Sequence, residues 1–533
     1  MIVAISRAEC YSPNSVDKDA RILEKICELL TRSGFDVKTV NEQQFTPDVK
    51  GDIYISMARS PRVLDILKNV SIRYIVVNNP WGVEKCQDRS LLMDIISHSR
   101  GINAAPKEGN DGYWVKKNLG YTECESDIIY APDSVSRDQA VESMKSRGIK
   151  EVYTCAHIKG TLVKFYGVLD TPFFRCYCPR QDGDMKFASH FVDDDACSDS
   201  MSVAMSYISD DKWLRDCKDK IEYMISRKLN GMAIYGGDMI VTSDGKVYVI
   251  DLNDFPSFSR CVDEAAEYMV MHIIKRKVNL HKQPVAHCLL NSSMFKGLLF
   301  DYGGTLDTGG IHWGMLMWQT YRRVGVPIDE QLFREAYVHG ERTLGRNPII
   351  KSTFSFRRTI MEKISLQLEY IHDRREDITP ADWHKRIVDG LMEVCEWEVH
   401  KSKIILSVVI KTRKEKMRKD TKIAVVSNFY GNLRKVLRDG GFHSVFGPNV
   451  IESAVVGVRK PDPEIFRIGM RKMGVTAPAN VLVIGDSYDK DIVPAHNAGF
   501  KTVWFIGRGW TPDIPNGDAA DWVITDLREL LLY

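Results

Sequence analysis

The sequence has no hydrophobic run long enough to cross a membrane. None of its apolar stretches approaches the roughly 18 residues that a membrane-spanning helix needs. It also has no basic tract and no stripe of basic and aromatic residues, and its net charge is only +2. These absences argue against an anionic membrane or a nucleic acid as the main partner.

Zinc-binding and redox cysteine motifs are also missing, and we do not expect the first residues to form a secretory leader. The 12 Cys residues are scattered, and a single residue separates Cys176 from Cys178, which fits neither a zinc knuckle nor a CxxC redox pattern. The first residues, MIVAIS, predict a β-strand and not a signal peptide. A signal peptide would need a basic segment and a cleavage site, and neither is present. We therefore expect a cytoplasmic protein with reduced thiols.

Two common nucleotide-binding loops are absent as well. No GxxxxGKS or GxxxxGKT loop occurs, and no GxGxxG follows a strand. What is present is a globular composition, 44% hydrophobic and 27% charged, over 533 residues. This length exceeds one ordinary core and predicts roughly two to four domains.

The chain changes its pattern three times. Residues 1–90 alternate short apolar strands with helices, which predicts a parallel α/β domain. Residues 91–280 mix helices with strands of antiparallel type and predict an α+β domain, and the polar stretch 281–295 is the predicted linker. Residues 296–533 return to strand–helix alternation, interrupted by a helical block at about 312–418. An insertion of this kind usually covers the site at the strand ends.

The C-terminal region contains four motifs with polar residues near strand ends. They are LLFDYGGT with Asp301 and Thr305, VVSN with Ser427 and Asn428, RKPDPEIF with Lys460, and VLVIGDSYDKD with Asp486 and Asp491. The ends of parallel strands meet at one edge of a sheet, so these side chains can converge. A carboxylate that attacks phosphorus splits one difficult displacement into two, and positive charge must offset the repulsion between the two anions.

This order of motifs resembles the haloacid dehalogenase (HAD) superfamily. The resemblance implies a Rossmann-like core with a helical cap, in which Asp301 is the nucleophile and Lys460 offsets charge. The implied Mg²⁺ ligands are Asp301, Asp486, the backbone carbonyl of Gly303 and, directly or through water, Asp491. The implied phosphate-binding residues are the catalytic donor Ser427, together with Thr305 and Asn428.

One position departs from the pattern of the HAD phosphatases. They usually have a second aspartate two residues after the nucleophile, which serves as general acid and base, and this chain has Gly303 there. Loss of a needed general acid costs roughly 10²–10⁴-fold in rate. Three alternatives remain: a good leaving group, a proton from the substrate or the cap, or a proton from Asp307 or His312. Because Asp486 and Asp491 are retained, phosphoryl chemistry is favoured over carbon–halogen chemistry.

The segment GGDMIVTSDGKVYVIDLNDFPSF is the most informative part of the N-terminal half. It contains Asp238, Asp251 and Asn253. Two antiparallel strands joined by the SDGK turn would bring the three side chains onto one face. Such oxygen ligands can hold Mg²⁺ against the phosphates of ATP. The alternative is an ordinary hairpin with polar residues at its edge.

Together with the preceding α/β segment, this pattern resembles the ATP-grasp enzymes. The resemblance implies ATP and Mg²⁺ as cofactors. The implied magnesium ligands are Asp238, Asp251 and Asn253. The implied ATP-contacting residues are Lys116 and Lys164, with Arg175 as a further phosphate- or substrate-binding residue. Arg260 could also hold an anionic substrate.

The two resemblances predict a bifunctional enzyme with small-molecule substrates. The N-terminal half would use ATP to turn a carboxylate into an acyl phosphate that a nucleophile captures, and the C-terminal half would remove phosphate from a metabolite. Because IDLNDFPSF also resembles a segment of the inositol-phosphate kinases, phosphorylation of a hydroxyl acceptor is the second interpretation. A third is that the HAD domain, with Gly303, binds a phosphorylated ligand without turning it over.

Overall fold

The computed structural model describes most of the chain. The described residues are 1–12, 15–119, 124–179, 197–289, 294–417, 422–511 and 513–531. They divide into two compact units, Met1–Ile273 and Ile274–Tyr533. No described helix combines the length and the apolar character needed to span a bilayer.

The first unit begins with a parallel four-stranded sheet in the order β2–β1–β3–β4. Its strands are β1 (Ile2–Ser6), β2 (Val37–Asn41), β3 (Ile53–Ser56) and β4 (Ile75–Val77). The accompanying helices are α1 (Val16–Arg32), α2 (Pro61–Val70), α3 (Pro80–Cys86) and α4 (Arg89–Ser97). β1, β3 and β4 are almost wholly buried, which explains their continuous Val and Ile.

The rest of the first unit is α+β. A three-stranded antiparallel sheet contains β6 (Tyr113–Lys117), β7 (Ile128–Ala131) and β8 (Val152–Ala156). A five-stranded sheet has the order β10–β9–β11–β12–β5 and contains β5 (Asn103–Ala104), β9 (Thr161–Val168), β10 (Phe174–Tyr177), β11 (Ile234–Val241) and β12 (Val247–Asp254). The helices are α5 (Ser134–Ser146), α6 (Cys197–Ile208), α7 (Asp211–Lys228) and α8 (Val262–Asn279).

The division of the chain differs from the predicted linker at 281–295. It falls after Ile273, within α8, and residues Val285–Leu289 form a short helix, α9. Val285, Cys288 and Leu289 belong to the hydrophobic core of the second unit. In the sequence, the polar residues around these three apolar positions make them hard to recognise as one buried face of a helix. Residues 290–293 of the predicted linker lie outside the described residues.

The second unit contains a parallel six-stranded sheet in the order β15–β14–β13–β16–β17–β18. Its strands are β13 (Gly297–Phe300), β14 (Lys422–Ser427), β15 (Val450–Glu452), β16 (Val481–Gly485), β17 (Lys501–Phe505) and β18 (Trp522–Ile524). Its helices outside the inserted block are α14 (Leu433–Asp439), α15 (His443–Phe446), α16 (Ser453–Val456), α17 (Glu464–Lys472) and α18 (Val493–Asn497). The strand order reverses around β13, which opens a crevice at the strand C-termini.

A helical cap is inserted between β13 and β14. Its helices are α10 (Trp313–Val324), α11 (Glu330–Arg346), α12 (Phe356–His372) and α13 (Pro380–Met417). The first half of α13 contributes Val388 and Leu391 to the core of the cap, and its second half contributes Leu406 and Val409 to the core beside the sheet. The last residue of the predicted cap, Arg418, lies outside the described residues. The predicted α/β multidomain fold, with a Rossmann-like core and a helical cap, is confirmed.

Candidate active site

The carboxylate of Asp301 lies directly after β13, at the crevice. Its Oδ1 atom accepts a hydrogen bond of 2.7 Å from the backbone N–H of Tyr302 and lies 2.7 Å from Nζ of Lys460. The same ammonium donates to Oδ1 of Asp491 at 2.6 Å. All three charged side chains are buried. Lys460 therefore joins two acidic groups from distant parts of the sequence.

Three carboxylates form a cluster that fits a divalent cation. One oxygen from each of Asp301, Asp486 and Asp491 lies within 4.8 Å of the others. Asp491 reaches this position from a single π-helical turn, Tyr488–Ile492, a feature often found at functional sites. The N–H of Ser487 fixes the second oxygen of Asp491 at 3.1 Å. This set of hard oxygen donors matches the preference of Mg²⁺.

The electrostatics of the cluster also favour an added cation. Burial and the nearby Asp491 together raise the pKa of Asp301 to about 6, although Lys460 acts in the opposite direction. Burial likewise raises the pKa of Asp486 well above its usual range, with added repulsion from Asp301 and Asp491. Burial opposes the charge of Lys460, but Asp301 and Asp491 raise its pKa overall. One ammonium cannot neutralise three carboxylates, so the pocket is short of positive charge.

Two predicted phosphate-binding residues hold other groups in place. The hydroxyl of Thr305 donates to Oδ1 of Asp486 at 3.0 Å and accepts from the N–H of Asp486 at 3.0 Å. The amide of Asn428 donates to the carbonyl of Lys460 at 3.0 Å and accepts from its N–H at 2.9 Å. Thr305 and Asn428 therefore help to position Asp486 and Lys460, and their phosphate-binding role stays a prediction. Ser427 is buried at the end of β14 and lines the cavity.

A glycine that the sequence argument overlooked is essential to the geometry. Gly304 has φ +98°, and a Cβ atom there would lie 2.3 Å from Oδ2 of Asp486. A side chain at this position would therefore displace a candidate metal ligand. Gly303 differs, because a Cβ atom there would meet only the indole of Trp313, at 3.7 Å.

The two proposed substitutes for the missing acid have different environments. Asp307 is fully buried, and its oxygens accept from the N–H of Gly304 at 2.7 Å and from Nε1 of Trp313 at 3.2 Å. Burial raises the pKa of Asp307 to about 7. Burial lowers the pKa of His312 to about 4, and its Nδ1 accepts from the N–H of Gly314 at 3.0 Å. A neutral His312 has no acidic proton to donate at neutral pH, whereas Asp307 can hold one.

The cap and the core enclose a cavity of about 920 Å³ above the carboxylates. Its wall contains an ion pair from the cap, in which Nζ of the buried Lys363 lies 2.9 Å from Oε1 of the half-buried Glu341. Tyr430, from the loop after β14, donates to Oε2 of Glu341 at 2.7 Å. Trp313 of the cap also lines this cavity. No motif in the cap predicted these residues.

The first unit brings the three predicted magnesium ligands to one part of its sheet. Asp238 on β11 lies opposite Asp251 on β12, and Asn253 lies two residues further along β12. Nδ2 of Asn253 donates to Oδ2 of Asp251 at 3.1 Å. Nζ of Lys164, on the neighbouring strand β9, donates to Oδ1 of Asp238 at 3.1 Å. The hairpin pairing expected from the sequence is therefore present.

Three cations surround Asp251. Burial opposes its charge, but Arg89, Lys116 and Lys164 together lower its pKa, with help from the hydrogen bond of Asn253. The nearest nitrogen of Arg89 lies 3.9 Å from Oδ1 of Asp251. The sequence argument missed Arg89, which begins α4 and has no neighbouring motif. Such a group of cations is suited to an anionic ligand.

Arg175 has a carboxylate partner that the sequence did not predict. Its guanidinium forms a two-point ion pair with Glu264, in which Nε lies 3.1 Å from Oε2. Its predicted contact with phosphate or substrate stays a prediction. Arg260 lies 5.9 Å from the ring centroid of Tyr177, in a cation–π contact.

Comparisons with known proteins relate mainly to the second unit. The sequence model of a family described as haloacid dehalogenase-like hydrolase matches residues 295–499. Pyrimidine 5'-nucleotidase YjjG of Escherichia coli (strain K12) is 28% identical over 173 residues, which are 31% of this chain and 71% of that protein. Glyceraldehyde 3-phosphate phosphatase of Pyrococcus furiosus is 39% identical over 87 residues, 16% of this chain and 36% of that protein. The predicted resemblance of the C-terminal region is confirmed.

Solved structures also include chains similar to this one. The structure of D-alanyl-alanine synthetase A from Vibrio cholerae covers 50% of this chain and 92% of that chain, with 10% identity and a TM-score of 0.35.

Proposed function

Residues 295–499 form a haloacid dehalogenase-like hydrolase domain, and on that premise we propose that the second unit is a Mg²⁺-dependent phosphatase of a small metabolite. The observation that carries this proposal is the convergence of Asp301, Asp486 and Asp491 around the ammonium of Lys460. Mg²⁺ bound by the carboxylates, with the carbonyl of Gly303, would supply positive charge for the phosphoryl oxygens.

The chain's own residues account for the remaining steps. A carboxylate oxygen of Asp301 attacks phosphorus, a P–O bond forms, and the bond to the leaving oxygen breaks. Lys460 keeps Asp301 ionised and offsets the charge that gathers on the phosphoryl group. The buried hydroxyl of Ser427 donates to a phosphoryl oxygen. Water then hydrolyses the aspartyl-phosphate, which releases phosphate and restores the carboxylate.

An aspartate-to-asparagine exchange tests the nucleophile. Asp301→Asn keeps the shape but removes the attacking charge, so Mg²⁺-dependent hydrolysis of p-nitrophenyl phosphate should fall to background. Asp489→Asn is the matched control, because Asp489 is exposed and lies two residues from Asp491. Beryllium fluoride should form an adduct with wild type and not with Asp301→Asn. If wild type binds Mg²⁺ and phosphate without any turnover, the domain is a binding module and the phosphatase proposal is wrong.

We propose that the first unit uses ATP and Mg²⁺ to activate a carboxylate as an acyl phosphate. The support is the group formed by Asp238, Asp251 and Asn253, with Lys164 and Arg89 beside the two carboxylates. A nucleophile such as an amine would displace the phosphate from the acyl group. The two units together would form a bifunctional enzyme. We assign it to the cytoplasm, because the eleven described cysteines are free thiols, which persist in reducing compartments.

The second candidate for the first unit is a kinase. The segment around Asn253 resembles a segment of kinases that phosphorylate hydroxyls. The same charged group would serve either reaction. Incubation with ATP, Mg²⁺ and candidate acceptors separates the two. A ligase releases ADP and phosphate and forms a new bond between acceptor and nucleophile, whereas a kinase leaves the phosphate on the acceptor.

A further inference from the structure

The cavity above Asp301 has two chemically different ends. At the sheet lie the three carboxylates and Lys460, which the proposed phosphatase reaction uses. Towards the cap lie groups for which that reaction gives no role. The inference below rests on the proposed phosphatase function and concerns the part of the substrate that leaves.

Four further cations line the cavity, two from the cap and two that directly precede Lys460 and Asp491 in the sequence. They are Arg342 and Arg346 from α11, Arg459 from the loop before Lys460, and Lys490 from the π-helical turn. All four are exposed to solvent. Among the residues that the structure describes, none of them has an ion-pair partner. Arg342 and Arg346 are four residues apart on one helix, so both face the same side of α11.

The remaining charges on the cap side do not balance this group. Glu341 is the one carboxylate from the cap that lines the cavity in the described structure. Lys363 lies 2.9 Å from it, so the two charges neutralise each other. Tyr430 donates to the second oxygen of Glu341 at 2.7 Å. Glu341 and Lys363 therefore satisfy each other's charge, and the four other cations are left without a negative partner.

We infer that the substrate has a second anionic group on its leaving side, and that Arg342, Arg346, Arg459 and Lys490 bind it. With a neutral leaving group, the four like charges around the cavity would repel each other. The ligand would not offset this repulsion. An anionic group gains charge-assisted hydrogen bonds, and arginine can bind a carboxylate or a phosphate at two points. The substrate class is thus a phosphate ester with a second carboxylate or phosphate.

Matched aryl phosphates test this inference. Phenyl phosphate, 4-carboxyphenyl phosphate and 1,4-phenylene bisphosphate share an aryl leaving group and differ in the second anion. Wild type with Mg²⁺ should hydrolyse at least one of the two doubly anionic compounds with a kcat/KM about tenfold or more above that of phenyl phosphate. The preferred compound shows whether the second anionic group of the substrate is a carboxylate or a phosphate.

A double variant shows whether the cations cause the preference. Arg342→Gln with Arg346→Gln should lower the ratio of the two kcat/KM values about tenfold to hundredfold. Arg357→Gln is the control, because this exposed arginine on α12 pairs with Asp389 and does not line the cavity. Circular dichroism and thermal melting establish that each variant is folded.

The outcomes separate this inference from the phosphatase proposal. If phenyl phosphate is hydrolysed as well as the doubly anionic compounds, the second-anion subsite is wrong and the phosphatase stands. If no compound is hydrolysed, the phosphatase proposal fails, and calorimetry with Mg²⁺ then tests the subsite. Tighter binding of 4-carboxyphenyl phosphate or 1,4-phenylene bisphosphate than of phenyl phosphate, lost in the double variant, supports the subsite. Equal binding of all three overturns it.

Discussion

The ammonium nitrogen of Lys460 lies 2.7 Å from Oδ1 of Asp301, in a site where both side chains are buried. The same nitrogen lies 2.6 Å from Asp491. Removing one partner of a buried ion pair exposes the other to an uncompensated desolvation cost. Lys460 therefore stabilises the folded site in addition to its proposed part in the reaction.

Lys460→Met should impair both stability and activity. The substitution leaves Asp301 and Asp491 close together without their shared cation, so the free energy of unfolding without Mg²⁺ should fall by about 3–5 kcal/mol. Hydrolysis of p-nitrophenyl phosphate should fall about 10²–10³-fold. Chemical denaturation and initial rates measure the two effects. Lys435→Met, which removes an exposed lysine paired with Asp439, is the control. Full activity in Lys460→Met would show that this ammonium is dispensable.

Magnesium should stabilise the second unit. Three carboxylates share one lysine, and a bound dication relieves their repulsion. At a Mg²⁺ concentration about a hundred times the dissociation constant, the gain is about 2.7 kcal/mol, or on the order of 5–10 °C in Tm. Calorimetry with and without a chelator measures it at constant ionic strength. Asp486→Asn should lose most of the shift, and an undiminished shift would place the cation elsewhere.

Gly303→Asp should restore general acid catalysis. A Cβ atom at residue 303 meets nothing closer than 3.7 Å, and the backbone carbonyl of the residue is retained. The rate for a poor leaving group, such as an alkyl phosphate, should rise at least about tenfold, because a general acid contributes roughly 10²–10⁴-fold where it is needed. The rate for p-nitrophenyl phosphate, whose leaving group needs no proton, should change little. Equal changes for both substrates would contradict an acid role at this position.

Proton uptake by His312 should lower the stability of the second unit as the pH falls from 6.5 towards 4. The carboxyl groups whose pKa values burial raises, Asp301, Asp307 and Asp486, act in the opposite direction. Burial lowers the pKa of His312 to about 4 in the folded state, against 6.5 for an unperturbed histidine. Between these values the unfolded chain binds the additional proton, so acid favours unfolding by about 2–3 kcal/mol. His312→Asn keeps an acceptor for the N–H of Gly314 but does not titrate in this range. Thermal melts at several pH values should show that the Tm of wild type falls relative to that of the variant as the pH is lowered through this range.

Lys164→Met should weaken ATP binding by the first unit. Nζ of Lys164 lies 3.1 Å from Asp238 and helps to lower the pKa of Asp251, so it belongs to the charged group that would face the phosphates. Loss of a charge-assisted hydrogen bond lowers affinity roughly tenfold or more. Titration calorimetry with ATP and Mg²⁺ measures this change. Lys246→Met, at the exposed turn between β11 and β12, should bind ATP as wild type does.

Local sequence patterns predicted most of the second unit. Each apolar strand ends at a polar residue, and parallel strands can deliver those residues only to a common edge, so the meeting of Asp301 with Asp486 followed from topology. The requirement for glycine at residue 304 did not follow, because it arises from the carboxylate of Asp486 on another strand. The sequence contains no local sign of such a long-range contact.

Partners that are distant in the sequence were the part of the site that could not be predicted. Thr305 and Asn428 are predicted phosphate ligands by their place in the motifs, and the structure adds that their side chains hydrogen-bond Asp486 and Lys460. Arg175 looks like a free cation, and Glu264, distant in sequence, pairs with it. Residue spacing cannot predict a contact between side chains that are distant in the sequence. It can predict pairs within a hairpin, such as Asp238 and Asp251.

The 38-residue helix α13 limits how the cap can open. Because its two halves are packed into separate hydrophobic clusters, this helix is a rigid connection between the cap and the sheet. The other connection is the segment after Asp301, which contains the glycine pairs Gly303–Gly304 and Gly309–Gly310. We expect hinge bending of the cap to concentrate there, next to the nucleophile. Closure of the cap over a ligand would then change the orientation of the attacking carboxylate.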